Sequence, residues 1–308
     1  MSIEKIDLAD ERFRISFFFP LEKFITSIKL VGLLNPPLVC EREGRFILVT
    51  GWKRILACRK LSLSPVKVMV NDLKDDLENF LLALHDNLAS REFSPLEKAE
   101  VVKKLKRFGV EKEKIIRDYF PHLGIPATEL YYDVYLALAE FESSLKKSIH
   151  EKGLPFSSLR AVCSFSPAAR KKILPLLFPL SLNKQKELLE WLLDISSRDG
   201  VGVEEILEEE EIRNVFSSER LSWLEKAEKV RDAIRKRRFP RLSSMEESFR
   251  NLLRRIRWPE NVSLQPSPFF EDENYHLSFR FRNGEQFFST LEKLRKAGAE
   301  KEFIEFFR

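Results

Sequence analysis

The chain has 308 residues, 44% hydrophobic and 33% charged, enough to bury real cores and, at roughly 100–200 residues per domain, to form two or three domains. Lys and Arg number 53 against 48 Asp and Glu, a net +5 that says little until the charges are located. Three cysteines without close spacing exclude a disulfide framework and a CxxC zinc site, and no run of about 18 uncharged apolar residues is present to span a membrane. Four scattered histidines argue against a histidine-rich metal centre. The opening MSIEKIDLADERFR is acidic and lacks an apolar core, so no signal peptide and a cytoplasmic setting are expected.

Pro20 is placed to open a helix whose apolar residues Leu21, Phe24, Ile25 and Ile28 recur at helical spacing, ending near Gly32 and Asn35-Pro36-Pro37. Leu38-Val39-Cys40 and Phe46-Ile47-Leu48-Val49 flank Glu43-Gly44 and read as paired strands. A short helix at about 53–61 follows Gly51, and Val66, Val68 and Val70 alternate as a third strand. Beyond about residue 72 the pattern turns helical: Leu73, Leu77, Phe80, Leu81 and Leu84 share a face. Ser94-Pro95-Leu96-Glu97 joins an N-cap, a proline at the first helical position and a glutamate three residues on, a capping-box start. Helical patterns run on to about 207, where the acids of 204–211 close the region. Residues 225–257 carry twelve Lys/Arg against five Asp/Glu, a local +7, with Arg235-Lys236-Arg237-Arg238 and Arg241 at the centre and Arg250, Arg254, Arg255 and Arg257 behind. Clustered cations of this kind suit phosphate contacts without a sequence code. In the tail, Val262 to Gln265 and Leu277 to Phe281 read as strands and Asn283-Gly284 as a turn. Ser289-Thr290-Leu291-Glu292 reads as a second capping box, opening a helix that ends near Gly298. So small a strand–strand–helix unit cannot bury its own face and calls for a partner.

Two segments carry chemistry. Gly51-Trp52-Lys53-Arg54 sits between a strand and a helix, where free N–H groups, a permissive glycine and two cations make a phosphate cradle; a glycine turn with two solvated cations is the plain alternative. Asp86-Asn87 supplies oxygen ligands suited to Mg²⁺ held jointly with phosphates, and Arg91 a further cation.

Taken together, these segments resemble the ParB-type partition proteins. Ser27-Ile28-Lys29 with Gly32-Leu33-Leu34-Asn35-Pro36 is similar to their SI…GLLNP segment, FILVTGWKRILA (46–57) to their glycine-arginine box, and DNLASREFSPLE (86–97) to their asparagine-arginine box. The resemblance implies a CTP-binding domain with Mg²⁺, in which Gly51, Lys53 and Arg54 hold phosphates, Asn87 approaches the metal and Arg91 braces the phosphate site. Asp86 stands where the family has a glutamate linked to hydrolysis, making it the candidate catalytic and second metal-facing residue with a shorter reach. Trp52 replaces the box's acid and Lys53 its first arginine, which removes a bidentate fork and favours binding over hydrolysis. Sulfiredoxin shares the fold superfamily but needs a cysteine at position 52, and Cys58 reads as a small core residue. A free-serine kinase shares it too, which leaves a nucleotide-dependent phosphotransferase as the alternative function and a degenerate scaffold as a third.

Where the family pattern places a helix-turn-helix, residues 115–145, the stretch between Gly124 and Leu145 holds no Lys or Arg and has four acids, Glu129, Asp133, Glu140 and Glu142. Reading base edges from a helix needs Arg, Lys, Asn or Gln on its face, so DNA binding is expected to be weakly sequence-selective. Tyr131, Tyr132 and Tyr135 read as a core stripe. The expected architecture is multidomain α+β: a ParB/sulfiredoxin-like nucleotide-binding domain over 1–93, an all-helical domain with a helix-turn-helix-like segment over 94–215, a basic linker or helix over 216–245 and a ββα dimerisation unit over 246–308. Expected partners are DNA, contacted through Arg235, Lys236, Arg237, Arg238 and Arg241, a second copy of the chain and a partition ATPase, with no membrane.

Overall fold

A computed structural model of the chain describes residues 1–17, 20–256 and 258–307, so Arg257 of the basic run lies outside the described residues. The fold is α+β and mostly helical, in two compact units, Met1–Leu174 and Pro175–Arg308.

In the first unit a four-stranded sheet runs in the order β1 (Ile6–Asp7), β3 (Arg45–Thr50), β2 (Leu38–Arg42) and β4 (Met69–Asn71). The β2–β3 hairpin is antiparallel, with Val39 opposite Leu48 and Cys40 opposite Ile47, while β1 and β4 pair in parallel on either side. Its turn places Glu43 and Gly44 at φ 51° and 77°, the double left-handed step that matches the twist of the strands. Helices α1 (Glu22–Val31) and α2 (Trp52–Lys60) pack together beside the sheet, and α3 (Asp76–Leu88) packs on β3. Val39, Leu48, Ile55, Ala57 and Cys58 form a core with no exposed area, so Cys58 is a packing residue.

Two expectations change here. The helix expected to open at Pro20 begins at Glu22, its first bond closing from the Ile25 N–H to the Leu21 carbonyl. The alternation of Val66, Val68 and Val70 becomes strand only at Met69–Asn71, the residues that pair with the β2 edge at Leu38–Cys40, while Val66 exchanges its backbone hydrogen bonds with Met1.

Next, α4 (Pro95–Arg107) starts on the expected capping box: Ser94 Oγ accepts from Glu97 N at 3.3 Å, and Glu97 Oε2 accepts from Ser94 N at 3.0 Å. A one-turn helix α5 (Lys112–Lys114) runs into a π turn at Ile115–Tyr119, and α6 (Glu129–Ala139) then packs across α4. Tyr132 and Tyr135 are buried, and Tyr131 and Tyr135 stack on Phe156 with ring centroids 5.2 and 5.0 Å away. The tyrosine stripe is therefore core. Of the four acids here, Glu129 pairs with Lys112, Glu140 with Lys103 and Glu142 with Lys171. Helices α7 (Ser143–Lys152), α8 (Phe156–Cys163) and α9 (Pro167–Leu177) follow.

Helices do not stop at 207. The second unit continues through α10 (Leu182–Asp199), α11 (Val203–Leu207), α12 (Glu210–Ser217), α13 (Trp223–Arg238) and α14 (Pro240–Arg255). Leu188, Leu192 and Ile195 of α10 and Val230 and Ile234 of α13 are buried where those two helices pack. An antiparallel pair, β5 (Val262–Pro266) and β6 (Tyr275–Phe279), precedes α15 (Gly284–Gly298) and α16 (Lys301–Phe306). The strand expected at Leu277–Phe281 thus lies two residues earlier and keeps its side-chain parity. Asn283-Gly284 is no free turn. The Asn283 side chain caps α15, accepting from Gln286 N at 2.9 Å, so 289–292 lie inside the helix and form no cap. Phe249, Tyr275, Phe306 and Phe307 interlock at 4.7–6.0 Å, yet Phe281, Phe288, Leu291 and Ile304 remain exposed.

Candidate functional site: a cationic cavity at the start of α2

At the β3–α2 junction lies a cavity of about 310 Å³. Gly51, Lys53 and Arg54 line it from one segment and Asp86, Asn87 and Arg91 from another, so all six residues singled out for nucleotide chemistry meet at one place. Phe13, Ile15, Phe24, Val49 and Trp52 give it an apolar floor.

Gly51 makes the turn. Its φ of +94° is left-handed, and a Cβ built there would stand 2.9 Å from Pro37 Cβ, so the position excludes a side chain on both counts. No side chain caps α2, which leaves the first N–H groups of the helix, with their partial positive charge, beside the cavity. Trp52 also lines this region, and its buried Nε1–H has no acceptor among the described residues.

Three cations border the space. Arg54 donates from Nη1 to the carbonyls of Asn35 and Pro36 at 2.8 and 3.3 Å, tying down the same loop that touches Gly51. Lys53 Nζ lies 5.6 Å from the Phe24 ring centroid; burial pulls its ammonium below the ordinary value, and nearby Arg91 adds to the effect. Arg91 donates to Ser16 Oγ at 2.6 Å and to Glu97 at 2.9–3.0 Å, with a weaker bond to Asn87 Oδ1 at 3.3 Å.

The two candidate metal-facing residues differ. Asp86 is exposed and makes no side-chain ion pair among the described residues. Asn87 is occupied: its Nδ2 donates to Ala83 O at 2.8 Å, and its Oδ1 accepts from Arg91. Asp86 is the one carboxylate lining the cavity among the described residues, and no cluster of three His, Cys, Asp or Glu is present there or elsewhere among them. A hard cation would thus be held here only jointly, by Asp86 and the oxygens of a phosphate ligand, which is the usual arrangement for Mg²⁺.

Sequence reasoning missed Ser16 and Glu97, the groups that hold Arg91. Ser16 lies 75 residues from Arg91, and no spacing rule connects them. Glu97 was legible as a cap and not as a neighbour of the site.

The basic run is largely neutralised within its own unit. Arg235 forms a bidentate pair with Glu246 at 2.7 Å, Arg237 pairs with Asp199 and Glu209, and Arg238 pairs with Asp194 at 2.9 Å. Lys236 and Arg241 have no ion pair among the described residues, and Lys236, Arg250 and Arg254 border a cleft between α13 and α14. The unbroken run of free cations suggested by the sequence is therefore corrected to scattered ones, because its neutralising acids come mostly from other helices.

Residues 10–88 match the ParB N-terminal domain family. The chain is 24% identical over 166 residues to the probable chromosome-partitioning protein ParB of Borreliella burgdorferi, covering 53% of this chain and 61% of that one. It is 35% identical over 97 residues to the chromosome-partitioning protein Spo0J of Thermus thermophilus, covering 32% and 36%. These alignments span less than two thirds of either relative's own length. Among solved structures, the C-terminally truncated ParB of Caulobacter crescentus complexed with CTP-gamma-S aligns at 23% identity over 56% of this chain and 96% of that one. The TM-score is 0.27, too loose a superposition to transfer a ligand. No helix among the described residues is long and apolar enough to cross a membrane.

Proposed function

With a ParB N-terminal domain over residues 10–88, the chain is a ParB-like protein, and from there we propose that its cavity binds the phosphates of CTP with Mg²⁺ and that nucleotide controls a DNA-associated clamp of the partition type. The observation that carries this reading is the meeting of Gly51, Lys53, Arg54, Asp86, Asn87 and Arg91 around one cavity at an uncapped helix start. Each side of it suits an anion. The α2 N–H groups supply fixed dipoles, and Lys53 and Arg54 supply charge. Asp86 would hold Mg²⁺ together with phosphate oxygens, the metal's contribution being to neutralise phosphate charge; Asn87 would face it with an Oδ1 that already accepts a bond from Arg91. With Asp86 the one carboxylate lining the cavity among the described residues, binding is better supported than hydrolysis. The base of the nucleotide is taken from the family resemblance, since the residues here address phosphates.

DNA as partner follows from the partition proteins the chain resembles, with contacts assigned to the unpaired cations Lys236 and Arg241 and to Arg250 and Arg254. A second copy is assigned to the tail, where Phe281, Phe288, Leu291 and Ile304 stand exposed. Deleting 246–308 should turn a dimer into a monomer in sedimentation, and an unchanged state would remove that assignment. The pocket reading is tested by calorimetric titration with CTP and Mg²⁺. Arg54→Ala should weaken binding about ten- to a hundredfold, the loss of one charge-assisted bond. Equal affinities for wild type and variant would overturn the assignment of Arg54.

A further inference from the structure

We propose that Glu97, which does not line the cavity, is the positioning residue that sets its Arg91 wall from the first turn of α4. This inference rests on the phosphate-binding reading and deepens it.

The geometry is a closed three-membered ring of hydrogen bonds. Arg91 Nη1 donates to Glu97, Arg91 Nη2 donates to Ser16 Oγ at 2.6 Å, and Ser16 Oγ donates in turn to Glu97 Oε1 at 2.6 Å. Each group thus fixes the other two, and two of them, Arg91 and Ser16, line the cavity. Glu97 also accepts from Ser94 N and Ser94 Oγ, so the carboxylate that aims Arg91 is itself fixed by the capping box of α4. A guanidinium on an exposed loop samples many rotamers; one clamped by a half-buried carboxylate and stacked 4.8 Å over the Phe93 ring has already lost that freedom before a ligand arrives. Burial by itself pushes the Glu97 carboxyl up, and the bonds from Arg91, Ser16 and the Ser94 backbone more than offset it, leaving it below its ordinary value and ionised at neutral pH.

The inference makes a forecast opposite in sign to simple electrostatics. A carboxylate beside an anion site repels the anion, so deleting its charge should tighten binding. If Glu97 instead positions Arg91, Glu97→Gln should weaken it, by about tenfold for the loss of one aligned charge-assisted contact. Gln is accepted in a capping box, so this variant keeps the start of α4.

The experiment uses the full chain. Titrations of wild type and Glu97→Gln with CTP plus Mg²⁺, and with inorganic triphosphate, give the affinities, and the Arg91 side-chain Nε–Hε NMR signal of the unliganded protein reports its order. Expected are weaker binding of both ligands by Glu97→Gln and a mobile Arg91 signal, with Ser94→Ala, which removes one of the two Ser94 bonds to Glu97 and keeps the carboxylate, loosening that signal less. Unchanged or tighter binding by Glu97→Gln, or an Arg91 signal as ordered as in wild type, overturns the inference. If wild type binds neither ligand, the nucleotide reading falls, and the Arg91 signal alone then decides whether Glu97 positions it.

Discussion

Gly51 shows how much of the site rests on one backbone conformation. A left-handed φ costs an ordinary residue about 1–2 kcal/mol, and here the added methyl would also press on Pro37 at 2.9 Å. Gly51→Ala should therefore lower the unfolding free energy by roughly 2 kcal/mol or more in urea denaturation and displace the 35–37 loop from the cavity. A change within about half a kcal/mol would mean that the turn is not built as described. Lys104 presents a different problem, a buried ammonium. Its Nζ donates to the carbonyls of Glu11 and Arg14 at 2.5 and 2.6 Å and faces Glu100 at 3.6 Å. Burial pulls its pKa from 10.5 down to about 8, with Glu100 opposing. Between these two values the unfolded chain binds more protons than the folded one, so the contribution of Lys104 to stability rises with pH across that window. The neutral amine still has donors for both carbonyls. The stability difference between wild type and Lys104→Met should accordingly move in favour of wild type from pH 8 towards 10, and a flat difference would contradict the assigned shift.

Helix starts are the clearest test of local rules against tertiary choice. The tail offers two capping signatures, Asn283 with Gln286 and Ser289 with Glu292. The earlier one is used, because it lengthens α15 and brings Phe287 to 5.8 and 4.9 Å from the rings of Phe279 and Phe281. Asn283→Ala should cost about 1 kcal/mol and Ser289→Ala less than half of that, read from thermal unfolding; the reverse order would restore the later start. The same contrast explains what was legible elsewhere. The β2–β3 hairpin and the capping box of α4 were readable because both are written within a few residues. β4 was overread because its length depends on where the β2 edge runs out, and the brief β1 was unreadable because Ile6–Asp7 is strand only through its partner β3. At the candidate site, the two sequence boxes gave six of the residues that line the cavity, Gly51, Lys53, Arg54, Asp86, Asn87 and Arg91. Ser16 was missed because its role comes from a chain crossing that no local pattern encodes.

For the molecule as a whole, charge is organised across helices rather than along the sequence. Asp194, Asp199, Glu209 and Glu246 neutralise three arginines of the run at 235–238, and none of these acids lies within the run. DNA binding, as proposed, should then be milder in its salt dependence than the local +7 suggests. With about four phosphates neutralised, the logarithm of affinity should fall with the logarithm of salt at a slope near −3.6, and replacing both Lys236 and Arg241 by Ala should bring it to about −1.8. Arg237→Ala should reduce stability and leave the slope alone; a slope unmoved by the double variant would place the DNA elsewhere.

What most directly tests the central claim is amide hydrogen exchange at Trp52, Lys53 and Arg54, the uncapped start of α2, with and without CTP and Mg²⁺. A triphosphate seated in the cavity accepts hydrogen bonds from these groups, so their exchange should slow on adding nucleotide while helices of the same unit that do not line the cavity, such as α8, stay unchanged. Binding that leaves the three amides exchanging as before, or no binding at all, would contradict it.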